Sequence, residues 1–111
     1  MTSQSMVIDG VHFAQPVRID EDLAFISLSQ NREAVVCVQG LPLLAGYRML
    51  YQYWHGTVHY CVAKPPGKKP SILLHRLLLS PPKEMQVDHI DGDGLNNRRS
   101  NLRLATAAQN S

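Results

Sequence analysis

The sequence predicts an α+β protein, in which a small antiparallel sheet region is followed by a compact strand–loop–strand–helix segment. Apolar and polar residues alternate over 47–53 and 57–62, which is the pattern of a β-hairpin. Residues 87–111 hold two short strand patterns around a glycine-containing turn, followed by the spacing of a helix capping box. At 111 residues the chain is long enough for one such core and too short for two.

The composition excludes several other classes of protein. Hydrophobic residues make up 44% of the chain and charged residues 18%, which is typical of a globular rather than a disordered protein. No apolar run approaches the roughly 18 residues of a membrane span, and the first ten residues lack the pattern of a signal peptide. Two cysteines, Cys37 and Cys61, are too few for a disulfide framework and suit a reducing cytosol.

Charge is distributed unevenly along the chain, although the net charge is only +2. Residues 1–33 hold five acids and two bases, residues 34–87 hold one acid and six bases, and residues 88–111 hold three of each. A basic centre beside an acid-containing end suits a polyanionic partner with a metal ion nearby. Taken alone, the charge favours an ordinary solvated surface, so the motifs must decide between the two.

Two stretches cannot be classified from their pattern. In the N-terminal acidic segment, 1–33, the apolar stretches 17–19 and 23–28 suit either two strands or a strand and a helical turn. The apolar run 72–79 is too short for its period to distinguish a helix from a strand, and the Pro-Pro pair that follows ends it.

The next segment, 34–70, is predicted to contain an antiparallel sheet and a basic loop. A β-branched run at 34–38 predicts a strand, and the Trp-His-Gly sequence at 54–56 predicts the tight turn of the hairpin. We expect the hairpin to lie within a three-stranded sheet in this region. The prolines that follow exclude ladder pairing from a loop that contains Lys68 and Lys69.

The C-terminal segment, 71–111, holds the residues with the clearest chemistry. Residues 87–90 suit a short strand, the DGDG sequence at 91–94 suits a turn, and 102–105 suits a second strand. Thr106 and Gln109 have the spacing of a capping box, so a helix is predicted to begin there.

Four polar residues of this segment lie in three short motifs. They are Asp88 and His89 in VDHIDGDGLNN, Asn101 in NLRLAT, and Asn110 in AAQN. In these motifs the chain resembles the HNH endonuclease family, in the branch found in phage and mobile-intron nucleases. The LHRLLL motif around His75 is similar to the same branch. The resemblance implies a ββα-metal nuclease core over 71–111, working in the cytoplasm of a bacterium or of a phage-infected host.

The resemblance implies a role for each matched residue. Asp88 and Asn110 are expected to be metal ligands, His89 the general base, and Asn101 the residue that braces the loop of His89. Carboxylate and amide oxygens suit Mg²⁺ or Mn²⁺, and a neutral imidazole can take a proton from water at cellular pH. His75, which lies among leucines, is expected either to be structural or to support the catalytic residues.

The implied reaction is metal-dependent hydrolysis of DNA phosphodiester bonds that leaves a 5′ phosphate and a 3′ hydroxyl. A monomer of this size is expected to nick one strand, since double-strand cleavage requires two sites. Cationic side chains are expected to position the DNA backbone without reading its bases. The candidates for these contacts are Lys68, Lys69, Arg76, Lys83, Arg98, Arg99 and Arg103.

Two other metal sites fit the sequence less well. The acidic turn 91–94 would begin a calcium loop, but Asn96 stands where that loop needs glycine and Leu102 where it needs glutamate. The two cysteines and the two histidines of the hairpin region lack the spacing of zinc ligands, so a metal-free sheet is expected there.

A second class of function also fits the sequence, which is a DNA-binding accessory module with weak or no nuclease activity. One residue follows Asn110, so the predicted helix is barely one turn long and is marginal without tertiary packing. We therefore expect either reduced activity or a homodimer or larger complex that completes the helix. A third class is a small structural protein that retains the motif as a relic.

Overall fold

The computed structural model describes residues 4–8, 10–54 and 58–106. Within these residues the protein is α+β, as predicted, and consists mostly of strands with one short α-helix. In chain order the elements are β1 (Gln4–Ile8), β2 (Val11–Asp20), β3 (Leu23–Ser27), β4 (Glu33–Cys37), a 3₁₀ segment (Val38–Leu44), β5 (Arg48–Trp54), β6 (Val58–Lys64), β7 (Ile72–Leu73), α1 (Leu74–Leu79), β8 (Gln86–His89), β9 (Asn96–Asn97), a second 3₁₀ segment (Arg99–Asn101) and β10 (Leu102–Ala105).

The first four strands form an antiparallel meander that is extended by β9, giving the order β1-β2-β3-β4-β9. The apolar stretches of the N-terminal segment form strands, since residues 17–19 lie in β2 and residues 23–27 form β3. The β4–β9 pair is parallel, with Val35 opposite Asn96 and Val36 opposite Asn97. Two residues of the C-terminal loop therefore belong to the N-terminal sheet.

The predicted hairpin is confirmed as the antiparallel pair β5–β6, and it lies in a three-stranded sheet of order β5-β6-β7. The third strand is the short β7, which pairs with β6 at Val62 and Ala63. The strand predicted at 34–38 forms as β4 and lies in the five-stranded sheet, not beside the hairpin. Its small, β-branched residues pack against β3, because Ala34 and Val36 are buried beside Ala24 and Ile26.

The apolar run at 72–79 divides into two elements. Its first two residues complete the sheet as β7, and α1 follows with Leu74 and His75 buried. Ser80 ends the helix in the left-handed conformation, and its backbone N–H donates to the carbonyl of Arg76. Such a cap and the following prolines explain why the helix has only six residues.

The strands predicted at 87–90 and 102–105 are confirmed as the antiparallel pair β8–β10. Asp88 lies opposite Arg103, and His89 lies opposite Leu102. The helix predicted after Thr106, and with it Asn110, lies outside the described residues.

A single cluster of buried apolar side chains joins the two large sheets and the C-terminal segment. It includes Val17 and Val36 from the five-stranded sheet, Cys61 from the hairpin, Leu74 from α1 and Leu95 from the loop before β9. The loop that follows His89 is therefore packed on the core by its own apolar residue. Among the described residues, no helix is both long and apolar enough to span a membrane.

Candidate functional site

Asp88 and His89 end strand β8 and project to opposite sides of it, as neighbours in a strand do. The carboxylate of Asp88 is 30% exposed, and its Oδ2 accepts a hydrogen bond from Nη2 of Arg103 at 2.5 Å across the strand pair. His89 points inward and is 9% exposed. The chain turns directly after it, because the N–H of Gly92 donates to the His89 carbonyl and Gly92 adopts a φ of +79°.

Asn97 holds the imidazole of His89. Its Oδ1 lies 2.9 Å from His89 Nε2, while its Nδ2 donates to the carbonyl of Gly94 at 3.4 Å. Because Nδ2 is engaged in that donation, Oδ1 faces the ring as an acceptor, and His89 Nε2 carries the proton. A neutral imidazole in this tautomer has its lone pair on Nδ1. The geometry therefore leaves Nδ1 as the basic atom of His89.

Strand β9 fixes the position of Asn97. Asn97 is 1% exposed and pairs with Val36 in the parallel ladder. The N–H of Val35 also donates to the carbonyl of Leu95, which fastens the start of β9 to the sheet. The amide that orients His89 is thus built into the edge of the five-stranded sheet.

Asn101 and Asp91 form the centre of the loop between His89 and β10. The side-chain Oδ1 of Asn101 accepts the backbone N–H of Asp91, and its Nδ2 donates to Asp91 Oδ1 and to the Asn96 carbonyl. The backbone carbonyl of Asn101 also accepts the N–H of Ile90. One asparagine therefore joins the two ends of the loop that carries Asn97.

The carboxylate of Asp91 is used inside this loop. It accepts the backbone N–H of Asp93 and the side-chain amides of Asn96 and Asn101. These donors, led by the Asp93 N–H, lower the pKa of Asp91 from 3.8 to about 2, with a smaller contribution from the charge of His89. Asp91 therefore acts in this structure as the ionised acceptor of an acidic turn.

His75 lies directly behind His89. The two imidazole rings meet edge to face with their centroids 4.6 Å apart, and the ring of Tyr60 lies 5.5 Å from His75 and 6.1 Å from His89. His75 is 5% exposed, and its Nδ1 has no hydrogen-bond partner among the described residues. Burial, followed by the charges of His89 and Arg76, lowers the pKa of His75 from 6.5 to about 4. His75 is therefore neutral at cellular pH.

Gly94 joins the loop to the central strand of the hairpin sheet. A Cβ atom added to Gly94 would lie 1.8 Å from the carbonyl oxygen of His59 and 2.8 Å from the ring of Tyr60. Only a residue without a side chain allows this approach. Strand β6 and the loop that carries Asn97 are therefore in direct contact.

The seven candidate DNA-contacting cations fall into two groups. Three of them have side-chain partners within the fold, since Arg98 Nε donates to Asn96 Oδ1, Arg76 Nη1 donates to the Met85 carbonyl, and Arg103 pairs with Asp88. The remaining four are exposed and are Lys68, Lys69, Lys83 and Arg99.

The described residues contain one of the two predicted metal ligands, Asp88, because Asn110 lies outside them. Within this part of the chain no group of three or more His, Cys, Asp or Glu side chains is arranged to hold a metal ion. Cys61 is fully buried, which raises the pKa of its thiol to about 12, and His59 Nδ1 makes a hydrogen bond with the Tyr51 hydroxyl. These contacts place both side chains in the packing of the sheet.

Two residues of the site were not identified from the sequence. The sequence motifs do not single out Asn97, although the Asn-Asn pair on an alternating strand places one amide outward and the other inward. They do not single out Tyr60 either, because its contact with both histidines depends on how the hairpin meets α1 and β8. No local pattern contains that information.

The family comparisons concern the same region. Residues 80–111 match a family model described as HNH endonuclease. Over 117 aligned residues the chain is 42% identical to an uncharacterized HNH endonuclease of Acanthamoeba polyphaga mimivirus, an alignment that includes 99% of this chain and 54% of that protein. The chain thus spans about half the length of this curated relative, and no solved structure matches it. The motif, the β8–β10 pair and these two similarities together support assignment of the chain to the HNH endonuclease family, with the family match confined to residues 80–111.

Proposed function

We propose that this chain hydrolyses phosphodiester bonds of DNA with a divalent metal ion and with His89 as the general base. The observation that carries the proposal is the His89–Asn97 hydrogen bond, which fixes the imidazole with Nδ1 as its basic atom. A general base must have its lone pair fixed toward the proton that it removes. The similarity to HNH endonucleases supports the nuclease assignment.

In the proposed reaction a water molecule attacks the phosphorus atom while His89 Nδ1 accepts one of its protons. The bond between phosphorus and the 3′ oxygen breaks, and the 3′ oxygen takes a proton from solvent, which leaves a 5′ phosphate and a 3′ hydroxyl. Asn97 stays bonded to Nε2–H and stabilises the imidazolium that forms. Asn101 holds the loop in place, so that the side-chain amide of Asn97 stays within hydrogen-bonding distance of His89.

A divalent cation fits the oxygen donor of Asp88, which lies at the strand end and is partly exposed. Asn110 would supply a second oxygen donor. When bound, Mg²⁺ or Mn²⁺ neutralises a phosphate oxygen and stabilises the leaving 3′ oxygen. The guanidinium of Arg103 already pairs with the carboxylate of Asp88. Its positive charge either competes with the metal cation for this carboxylate or shares the carboxylate with it.

The surroundings of Asp88 suit a polymer more than a small molecule. A cavity of about 740 Å³ is lined by Asn97 and Leu102 but by neither Asp88 nor His89. Asp88, the proposed metal ligand, lies instead at an open strand end. Exposed cations such as Arg99 and Arg103 are close to it in the sequence. These cations are proposed to hold the DNA backbone, and a single copy of the chain is proposed to nick one strand.

Relaxation of supercoiled plasmid tests this function. The purified chain is incubated with Mg²⁺ or Mn²⁺, beside a reaction with EDTA and beside the His89→Ala variant. We expect nicking that both EDTA and the substitution abolish, with circular dichroism showing that the variant is folded. Nicking by His89→Ala at the rate of the parent chain would contradict the assignment of the base.

The second candidate function is a DNA-binding module without turnover. The Arg103–Asp88 ion pair favours it, because it neutralises the carboxylate that a metal ion needs. This candidate predicts salt-dependent DNA binding by the folded chain and no nicking at any metal concentration. The plasmid assay and a binding assay together distinguish the two functions.

A further inference from the structure

The three-stranded sheet β5-β6-β7 has one face in the core and one face outward. Residues that pair directly across two strands share a face, so Arg48 with Lys64, Leu50 with Val62, and Gln52 with Tyr60 lie on the same side. We call this side the outer face. The opposite side is packed in the core, since Met49, Cys61 and Ala63 are all buried.

Two cations lie directly opposite each other at one end of the outer face. Arg48 and Lys64 are exposed and paired in register, and like charges in directly opposite positions destabilise a sheet. Neither residue takes part in the ion pairs found among the described residues, which are Arg18–Glu33 and Arg103–Asp88. An anionic partner removes this repulsion, so the pair indicates a contact with an anion.

A cavity of about 440 Å³ lies further along the same face. Its lining is mainly apolar, with one amide and two hydroxyls, and consists of Gln52, Tyr60, Val62, Ser71, Ile72 and Leu73. A half-buried tyrosine ring beside aliphatic side chains provides a surface on which a nucleobase can stack, and the hydroxyl of Ser71 can bond to the edge of the base. The cavity therefore has the chemistry of a nucleobase site.

Tyr60 connects this cavity to the catalytic residues. Its ring centroid is 6.1 Å from that of His89, and its backbone neighbour His59 is in contact with the Gly94 loop. Lys64 is four residues further along β6, at about 13 Å from Tyr60 for an extended strand. A DNA strand with its reacting phosphate at His89 can therefore reach both the cavity and the cation pair.

We propose that the outer face is a DNA-binding surface of the nuclease, in which the Tyr60 cavity takes one unstacked nucleobase and Arg48 and Lys64 hold the neighbouring phosphates. This inference rests on the proposed function, since it places the DNA next to His89. The inference goes beyond the proposed function because it assigns a site for an unpaired base on the hairpin sheet, at residues that the catalytic step does not use.

The test is DNA binding in EDTA, where no cleavage is required, followed by fluorescence anisotropy. One labelled duplex is fully paired, and a second contains a single unpaired nucleotide. We expect the parent chain to bind the second duplex about 5- to 100-fold more tightly, which is the range expected from stacking one base on an aromatic ring. Equal affinity for the two duplexes would overturn the proposal.

Two substitutions examine the cavity separately from the fold. Tyr60→Ala removes the stacking surface, and Val62→Trp fills the cavity from the outer face with a residue that strands tolerate. Both variants are expected to lose the preference for the unpaired nucleotide and to keep their affinity for the paired duplex. Retention of the preference by a folded Val62→Trp variant would overturn the cavity assignment even where Tyr60→Ala fails to fold.

The cation pair is tested by the salt dependence of binding to the paired duplex. The double variant Arg48→Gln/Lys64→Gln is expected to reduce the slope of log K against log salt by about 0.9 for each lost phosphate contact. Arg32→Gln is the matched control, because Arg32 is exposed but lies over the ring of Tyr51, which belongs to the other side of β5. An equal effect of the control and the double variant would overturn the phosphate assignment.

The plasmid assay separates the failure of this proposal from the failure of the proposed function. Metal-dependent nicking without a preference for the unpaired nucleotide would leave the nuclease intact and remove the base site. The preference without any nicking would retain the surface and assign it to a DNA-binding module.

Discussion

Asn97 is a buried side chain whose amide lies between the imidazole of His89 and the backbone of Gly94. Its two hydrogen bonds determine which ring nitrogen of His89 carries the proton, and therefore which one is basic. Asn101 holds the same loop in place, because its side-chain amide donates to the carboxylate of Asp91 and to the backbone carbonyl of Asn96. In this account the asparagines act through His89 and are positioning residues.

Replacement of Asn97 by alanine is predicted to lower kcat for plasmid nicking by about 10- to 100-fold with little change in KM, because His89 loses its fixed tautomer. It should also lower the free energy of unfolding by about 1–3 kcal/mol, since a buried donor loses its partner. Asn97→Asp retains an acceptor oxygen opposite Nε2 and is expected to recover part of kcat. A folded Asn97→Ala variant with the kcat of the parent chain would exclude this positioning role.

Arg103 is predicted to weaken metal binding at Asp88. Removal of its charge by Arg103→Gln leaves the carboxylate unpaired, and a surface ion pair of about 0.2–1 kcal/mol corresponds to Mn²⁺ binding that is up to about fivefold tighter. Isothermal titration with Mn²⁺ measures this, with Asp88→Asn as the control that removes the proposed ligand. Unchanged or weaker binding by Arg103→Gln would show that Arg103 does not compete with the ion.

His75 is predicted to make the stability of the fold pH-dependent. Because its pKa is lowered from 6.5 to about 4, the unfolded chain binds a proton between these values that the folded chain does not. The free energy of unfolding should therefore fall as the pH is lowered through this range, by about 2 kcal/mol at pH 5. Urea denaturation at pH 7 and pH 5 measures the change.

The matched pair for this experiment is His75→Gln and His12→Gln, since His12 is an exposed histidine on β2. The first substitution should flatten the decrease between pH 7 and pH 5, and the second should leave it as in the parent chain. The same decrease in all three proteins would show that another group is responsible.

The loop between β8 and β10 is the element on which the site depends. It is fixed on one side by β4, through the parallel β9, and on the other side by β6, through Gly94. Asn101 closes it from within. Because the loop contacts two sheets, a change in either sheet can displace Asn97.

Gly94→Ala is predicted to destabilise the protein by about 3 kcal/mol or more, because the new Cβ overlaps the backbone of His59, which has no freedom to rotate away. Gly92→Ala is the matched control in the same loop. Its Cβ meets nothing within 4 Å, and the cost is only the positive φ of +79°, about 1 kcal/mol. Chemical denaturation of both variants should show the larger loss for Gly94→Ala, and the opposite order would contradict the packing described here.

The elements with a complete local pattern were predictable from the sequence. Alternation located both strands of the hairpin, and the short patterns around the DGDG turn located β8 and β10. The run at 72–79 could not be classified, because the boundary between β7 and α1 is set by pairing with β6 rather than by local residues. The parallel pairing of β4 with β9 joins residues about sixty positions apart, and nothing in either segment specifies its partner.

The whole molecule brings the N-terminal acidic segment, the hairpin and the C-terminal motif onto one core. The motif residues could be identified from the sequence because their types and order are specific. The surroundings of these residues could not be predicted from the sequence. Asn97, which bonds to His89, lies at the edge of one sheet, and Tyr60, which lies beside His89, belongs to another. Strand β4, which carries none of the motif, therefore holds β9 and with it Asn97, the residue that bonds to the proposed base His89.

The most direct measurement is chemical rescue of His89, the proposed general base, in the plasmid assay. Single-turnover nicking with Mn²⁺ is followed for the parent chain and for His89→Ala, without and with added imidazole. His89→Ala is expected to be slower by about 100-fold or more, and imidazole is expected to restore part of the rate in proportion to its neutral form. Nicking by His89→Ala at the rate of the parent chain, with imidazole making no difference, would show that His89 is not the general base.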